Sequence, residues 1–365
     1  MRARWRIFSG EFRRGLTLVE LVLAAGLLSI VSLALLALLD TSTGLLSRTE
    51  ARRDLVEMAS AVGELMARDL DTLENGPRGD LVCDWIMLDG DGDGSNGAAY
   101  PRLRLVRRGS PAELARLQAG VEAQDRVRDE GLIEVVWALI PRQVESPERR
   151  TDRVLWRGER ILGDPDRLSV FDDRFFNANG KAVAGALDVV TGGVLWWGIG
   201  FATQTSVVHD GWTYGEQLRD ATRSWDAWDR DRPDVQEHYF NEAGAGMPGV
   251  DPEDGLPLLP RRVRVELVFE RDQDLRRRTT LQGEVHPEDA VLRVRDTDRI
   301  PEPGEMILIG EEWMSVRSKG RKTVSVGRGE RGTRALAHPP DAVVHHGTTL
   351  VREVPVALYR EDWKL

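Results

Sequence analysis

The chain has 365 residues and a formal net charge of −10 at pH 7. This acidic balance argues against duplex DNA binding, which depends on neutralising phosphates with basic side chains. The single cysteine, Cys83, excludes a disulfide within one chain, so a packed core must stabilise the one large domain or two modest domains that this length allows.

Residues 16–39 form an apolar segment in which Glu20 is the only ionisable side chain. As a helix, this segment would be about 36 Å long, which is enough to cross a hydrocarbon core of about 30 Å. Five arginines and one glutamate precede it. This excess of basic residues predicts a single-pass protein of the inner membrane, with a cytoplasmic N-terminus and a periplasmic head.

The segment lacks the small-residue cleavage site that follows the apolar core of an ordinary signal peptide. Instead, the sequence R-R-G-L-T-L-V-E-L at residues 13–21 stands at the start of the core. This arrangement resembles the prepilin leader of type IV pilins and type II secretion pseudopilins. The resemblance implies that a prepilin peptidase removes residues 1–15 by cutting after Gly15, and that the new N-terminal amine, on Leu16, is methylated. The family usually has Phe at that position, and Leu16 keeps it large and apolar.

Glu20 lies at the fifth position after the expected cleavage, where the family carries its characteristic glutamate. A carboxylate inside a bilayer costs about 2.5–3.5 kcal/mol on insertion scales, and we expect the helix itself to offer it no partner. The resemblance implies that the freed amine of Leu16 in a neighbouring subunit pairs with Glu20 and sets the stagger of a filament. The alternative is a plain membrane anchor with an accidental glutamate.

Residues 40–75 continue the helix as an amphipathic stretch, because apolar side chains recur at steps of three and four residues between Leu55 and Leu70. Asn75-Gly76-Pro77 then predicts its end. Residues 76–282 are predicted to form a β-rich head, with strand candidates at residues 80–88, 103–107, 133–140, 153–156, 194–203 and 259–269. Residues 112–130 are helix-like, and residues 219–257 are typical of a long loop.

The head resembles that of the J-type minor pseudopilin, and less closely the W-type minor pilin. The resemblance depends on Arg68-Asp69-Leu70 near the end of the long helix and on the LP-x-x-V-x-V-x-L strand at residues 259–267. It implies an α+β fold in which a long N-terminal helix packs on an antiparallel β-sheet head.

Residues 283–351 have a different character. Short alternating strands separated by glycines predict a small antiparallel barrel-like module. The segment resembles a β-module of phage tail and baseplate proteins, with the pattern V-x-R-G-x-x-G-T-x-A-x-x-H at residues 326–338. Residues 352–365 would form a C-terminal strand and tail that return to the main sheet.

One metal site is suggested by Asp89, Asp91 and Asp93, which alternate with glycines as in the first half of a calcium loop. Position twelve of that loop is Tyr100 rather than the bidentate glutamate, so a partial calcium site and a solvated acidic turn both remain open. No other cofactor is expected.

Three histidines near the C-terminus, His338, His345 and His346, leave open a zinc site, although His338 suits a structural hydrogen bond better. The tryptophans of residues 196–197 and 225–228 belong either to the core or to a partner surface. The chain contains no nucleophile–base motif and no phosphate-binding loop, so we expect no enzymatic activity.

These observations predict a minor pseudopilin that helps to form the tip or priming complex of a type II secretion filament. Its expected partners are other pseudopilins or pilins, the prepilin peptidase, the inner-membrane assembly platform and membrane lipid, with no nucleic acid. The alternatives are a minor type IV pilin, or a binding module that a filament carries for adhesion or DNA uptake. The sequence leaves the kind of machine open.

Overall fold

A computed structural model describes residues 17–88, 98–119, 131–141, 153–164, 166–176, 182–183, 185–202, 213–214, 225–228, 257, 259–260, 262–270, 278–331 and 333–356. The chain divides into two compact units, residues 1–58 and residues 59–365. The described residues form an α+β fold with one long N-terminal helix and antiparallel sheets, as predicted.

The long helix, α1, runs from Leu18 to Asp71 over 54 residues. Its first part, residues 18–39, is long and apolar enough to cross a membrane, and every described side chain in it is exposed. The hydroxyl groups of Ser29 and Thr41 donate to the carbonyl groups four residues earlier, on Ala25 and Ala37, both at 2.8 Å. These polar groups are thereby satisfied within the helix, as an apolar surrounding requires.

The described residues outside α1 form one further α-helix and sixteen strands. The helix is α2 (Pro111–Leu117). The strands are β1 (Leu81–Leu88), β2 (Ala98–Arg108), β3 (Leu132–Pro141), β4 (Arg153–Ile161), β5 (Asp188–Gly192), β6 (Val194–Ala202), β7 (Thr213–Tyr214), β8 (Trp225–Asp226), β9 (Arg262–Phe269), β10 (Thr279–Thr280), β11 (Val291–Arg293), β12 (Met306–Ile309), β13 (Glu312–Lys319), β14 (Thr323–Glu330), β15 (Val343–His345) and β16 (Thr348–Pro355).

The first sheet has the order β5-β4-β3-β2-β1-β8. Its centre is β3, in which every residue from Leu132 to Pro141 is buried. A run so rich in branched apolar residues suits a strand that is covered on both faces. The strand predicted for residues 133–140 is therefore confirmed.

A second sheet has the order β16-β9-β6-β7. Strand β9 alternates between half-buried and buried side chains over its first six residues and pairs along its whole length with β16. The strand β16 lies at one end of this order. Most of its side chains are exposed or half-buried, and only Val354 is buried.

The third sheet has the order β10-β15-β12-β13-β14-β11 and spans residues 279–345. A bridge between Leu281 and Val294 links its two ends, so the sheet curls into a half-barrel. We call residues 279–345 the half-barrel. The boundaries expected for the module, residues 283 and 351, differ from these limits: β10 lies inside the half-barrel sheet, and β16 pairs in the second sheet.

The second part of α1 packs within the larger unit. Ala59, Val62, Met66 and Leu70 are buried at the predicted three- and four-residue spacing. The helix ends at Asp71, four residues before the predicted terminator Asn75-Gly76-Pro77 begins. Of the longer predicted helix over residues 112–130, the described residues include only α2, and residues 120–130 lie outside them.

Candidate functional site

The start of α1 carries the candidate assembly residue, Glu20, in a capping box with Thr17. The backbone N–H and the hydroxyl of Thr17 donate to Oε2 of Glu20 at 2.9 and 3.0 Å. In return, the backbone N–H of Glu20 donates to the hydroxyl oxygen of Thr17 at 3.3 Å. These reciprocal bonds satisfy backbone donors that a helix start leaves without intrahelical partners.

The expectation that the helix offers Glu20 no partner is therefore wrong. The sequence T-L-V-E at residues 17–20 matches the capping-box pattern, which is the signal that could have revealed the contact. Both bonds from Thr17 reach the same oxygen of Glu20. Within the described part of the chain, no hydrogen bond reaches the other carboxylate oxygen, Oε1. Gly15 and Leu16 lie outside the described residues.

Asp69 lies near the end of α1 and is completely buried. Its carboxylate accepts two hydrogen bonds from Arg157, at 2.8 and 2.9 Å, and one from Nε1 of Trp137, at 2.9 Å. Nε of Arg107 also lies 3.0 Å from Oδ1. One helical carboxylate thus contacts strands β2, β3 and β4. This contact gives Asp69 of the Arg68-Asp69-Leu70 motif a structural role in the head.

The ion pairs continue from Arg107 to two further carboxylates. Nη2 of Arg107 lies 3.0 Å from Glu113 and 3.4 Å from Glu159, and Arg116 also pairs with Glu159. The hydrogen bond from Arg107 lowers the pKa of Glu113 to about 2, against an opposing effect of burial. The buried positive charge of Arg107 is thereby compensated by the carboxylates of Asp69, Glu113 and Glu159. A charge buried in a protein requires such partners.

These buried ion pairs were not predicted from the sequence, in which Arg104 and Arg107 were interpreted only as parts of a strand at residues 103–107. Arg102, Arg104 and Arg107 are all buried in β2. Arg102 and Arg104 both donate to Asp84 on β1. The signal was present in the alternation R-L-R-L-V-R at residues 102–107, which places charges on a strand that is otherwise apolar.

The motif that resembles phage tail proteins is organised around Glu312, which is completely buried at the start of β13. Arg328 donates to both carboxylate oxygens at 2.6 and 2.7 Å, and His338 contacts Oε2 at 2.8 Å. The backbone N–H groups of Gly329 and Leu336 also donate to it. Burial raises the pKa of Glu312, but these hydrogen bonds outweigh burial and lower it to about 2.

Residues of that motif therefore hold strands of the half-barrel together. The predicted hydrogen-bonding role of His338 is confirmed by its contact with Glu312. The hydroxyl oxygen of Thr333 accepts a hydrogen bond of 2.9 Å from the backbone N–H of Trp313. Gly329 adopts a positive φ of 66°, which favours glycine.

Two histidines of the suggested zinc site, His338 and His345, contact different carboxylates. His345 lies 2.8 Å from Glu270, which also binds Arg278 through two bonds of 2.7 Å. His346 lines a cavity beside β16. Among the described residues, no group of three His, Cys, Asp or Glu side chains is arranged to hold a metal ion. The suggested calcium ligands Asp89, Asp91 and Asp93 lie outside those residues.

The tryptophans divide between the core and the surface. Trp197 and Trp225 are buried, and Trp196 is half-buried. Trp228 is 39% exposed, and its indole N–H donates to the carbonyl of Gly79 at 3.1 Å. Trp197 and Trp225 therefore belong to the core, and the partner role considered for the exposed Trp228 stays a prediction.

No protein-family model matches the chain, and no curated protein matches it significantly. The assignment of a function therefore depends on these residues and their contacts.

Proposed function

We propose that the chain is a minor pseudopilin, a structural subunit at the tip or in the priming complex of a type II secretion filament. The observation that carries the proposal is the segment at residues 13–21, with Glu20 at the N-terminal turn of an apolar helix. Prepilin peptidase would cleave after Gly15, and the amine of Leu16 would be methylated. The acidic, non-enzymatic head would then face the periplasm.

The geometry of Glu20 gives the assembly step a specific form. Because Thr17 occupies only Oε2, the second oxygen is available for the amine of Leu16 in an adjacent subunit. The carboxylate of Glu20 would then cap its own helix through one oxygen and, at the same time, pair with the amine of the adjacent subunit through the other. A hydrogen bond between charged groups contributes about 1.5–3 kcal/mol, which corresponds to a factor of about 10 to 100 in association.

The head supports a place at the end of a filament. Asp69 ties α1 to three strands of the first sheet, and this contact supports the proposal of a pilin-like helix on its sheet. The half-barrel adds residues 279–345 to that head. A subunit with so large a head is hard to repeat along a fibre without crowding its neighbours, so a single copy at the tip suits it better.

The proposal is tested by separating the two roles of Glu20. Glu20→Gln keeps a capping-box side chain, since Gln also serves at this position, but removes the charge that attracts an amine. We expect Glu20→Gln to reduce copurification with other prepilin-type subunits of the native host by about tenfold or more. Thr17→Val is the matched control, because it weakens the cap by about 0.5–2 kcal/mol and keeps the charge.

Two results would contradict this assignment. One is equal copurification of Glu20→Gln and the unaltered protein. The other is a mass spectrum of the protein from its native membrane that shows an intact leader or a first residue other than methylated Leu16.

A further inference from the structure

The residues that connect α1 to β1, 72–80, are bonded to the neighbouring strand β2. We call these residues the joint. The backbone N–H of Glu74 donates to the carbonyl of Val106 at 3.0 Å, and the backbone N–H of Arg108 donates to the carbonyl of Thr72 at 2.8 Å. The joint therefore attaches the end of the long helix to the first sheet.

The joint contains the dipeptide Asn75-Gly76, and both of its residues are half-buried. Asn-Gly is prone to deamidation, because glycine lets the backbone bend its own nitrogen toward the asparagine side chain. That nitrogen loses its proton and bonds to Cγ of the asparagine, and the side-chain nitrogen leaves as ammonia. Water then opens the succinimide to aspartate or isoaspartate. Isoaspartate would lengthen the main chain of the joint by one methylene.

The carboxylate of Glu74 holds the nitrogen that would make this attack. The backbone N–H of Gly76 donates to Oε1 of Glu74 at 2.8 Å, and Nε of Arg108 donates to Oε2 at 2.7 Å. A hydrogen bond to a carboxylate is among the stronger ones in proteins, and this one must break before the nitrogen can lose its proton. The negative charge of the carboxylate also disfavours a second negative charge on the adjacent nitrogen.

The same contact explains why position 76 is a glycine. A Cβ at Gly76 would lie 2.5 Å from Oε1 of Glu74, whose other oxygen is held by Arg108. Pro77 further restricts the backbone of Gly76, since the residue before a proline is confined to extended conformations. The packing of the joint thus places glycine after Asn75 and also supplies the carboxylate that opposes the reaction.

We propose that Glu74 protects Asn75-Gly76 from succinimide formation and thereby preserves the joint. The carboxylate competes directly with the attack, because the nitrogen cannot donate to Oε1 and bond to Cγ of Asn75 at the same time. This protection goes beyond the role proposed for Glu20 and stands independently of it, since it depends only on contacts between the joint and β2.

The test follows deamidation at Asn75 in the full-length protein in detergent micelles, by mass spectrometry of its peptides after incubation at mildly alkaline pH. We expect Glu74→Ala to raise the rate at Asn75 by about tenfold or more. Glu64→Ala is the matched control, because Glu64 is an exposed residue of α1, and it should leave the rate unchanged. The Asn-Gly pairs at residues 96–97 and 179–180 provide a reference rate within each variant. A rate in Glu74→Ala equal to or below that of the unaltered protein would overturn the proposal.

Glu74→Gln separates the lost charge from a change in packing. Its side chain keeps the size of glutamate and an oxygen that accepts from Gly76, so we expect a rate between those of the unaltered protein and Glu74→Ala. Hydrogen exchange at the amides of Val106 and Arg108 should stay unchanged in Glu74→Gln. Faster exchange there would assign any faster deamidation to opening of the joint and so contradict a direct role of Glu74. If Glu74→Ala fails to fold, Glu74→Gln decides the question, and an unchanged rate at Asn75 would reject the proposal.

Discussion

At the scale of single residues, Asp69 explains how α1 is held in the head. Three side chains from three strands converge on one carboxylate that has no contact with solvent. A buried ion pair adds little compared with an apolar contact, but removing one partner leaves a buried charge uncompensated. The network therefore fixes which turn of the helix meets which strands.

We predict that Asp69→Asn lowers the free energy of unfolding by about 3–5 kcal/mol. The amide cannot compensate Arg107 and Arg157 together, and its NH₂ group opposes their donors. The loss is measured by thermal unfolding of the full-length protein in detergent, followed by tryptophan fluorescence.

The control for Asp69→Asn is Asp71→Asn, two residues along the same helix. Asp71 is exposed, so we expect a change within about 0.5 kcal/mol. A similar small change for Asp69→Asn would show that the buried network does not hold the helix.

At the scale of elements, Glu312 joins three parts of the half-barrel. It stands on β13, accepts from Arg328 on β14, and contacts His338 in the segment that leads to β15. Because these hydrogen bonds lower the pKa of Glu312 to about 2 in the folded protein, from an ordinary value of 4.5, its ionised form favours folding.

This shift predicts how stability depends on pH. The contribution of Glu312 is complete above about pH 4.5 and is lost as the pH falls toward about 2, because the unfolded chain binds the proton first. We expect Glu312→Gln to lower the free energy of unfolding at pH 7 by about 3–5 kcal/mol, and to flatten its decline between pH 5 and pH 3. Denaturant unfolding at several pH values measures both effects.

The matched control for Glu312→Gln is Glu302→Gln. Glu302 pairs with Lys319 at 2.7 Å, but its side chain is 76% exposed, so an effect of about 0–1 kcal/mol is expected. An unchanged pH profile in Glu312→Gln would contradict the assigned pKa.

The strands and helices differ in how far the sequence predicted them. The run at residues 133–140 predicted β3 because all of its side chains except Glu134 are apolar. The spacing of Val62, Met66 and Leu70 predicted the buried face of α1. Strand order was not predictable, since β6 pairs with β9 across 59 intervening residues. Such pairing depends on distant contacts that local periodicity does not encode.

The candidate site was also predictable only in part. The position of Glu20 followed from the motif at residues 13–21, but its bond to Thr17 required attention to helix capping. The cavity beside β16 is formed by four separate stretches, around residues 268, 305, 331 and 348. No single window of the sequence contains it.

At the scale of the molecule, the half-barrel is bonded to the rest of the head at several points. Tyr100 on β2 donates to Glu311 at 3.0 Å, and Arg331 donates to Glu266 on β9 at 2.6 Å. An apolar cluster also crosses the junction; its fully buried members are Leu195, Val268, Leu308 and Trp313. The half-barrel is thus an integral part of the head, and deleting it would expose Leu195 and Val268.

These contacts predict that the half-barrel and the two other sheets unfold together. Leu308 and Ile307 are neighbours on β12, and both are completely buried. The side chain of Leu308 packs in the junction cluster, whereas that of Ile307 packs inside the half-barrel. Truncation of either side chain to alanine is expected to cost about 2–5 kcal/mol. The two variants therefore remove similar packing from opposite faces of one strand.

We expect calorimetry of the full-length protein in detergent to show one head transition for the unaltered protein and for Ile307→Ala, at a lower temperature in the variant. Leu308→Ala should instead separate the transition into two, because it weakens the contacts that couple the half-barrel to the second sheet. Since the two substitutions delete the same number of carbon atoms, a difference in the number of transitions reports coupling rather than lost stability. Identical traces for the two variants would show that the junction cluster does not couple these parts.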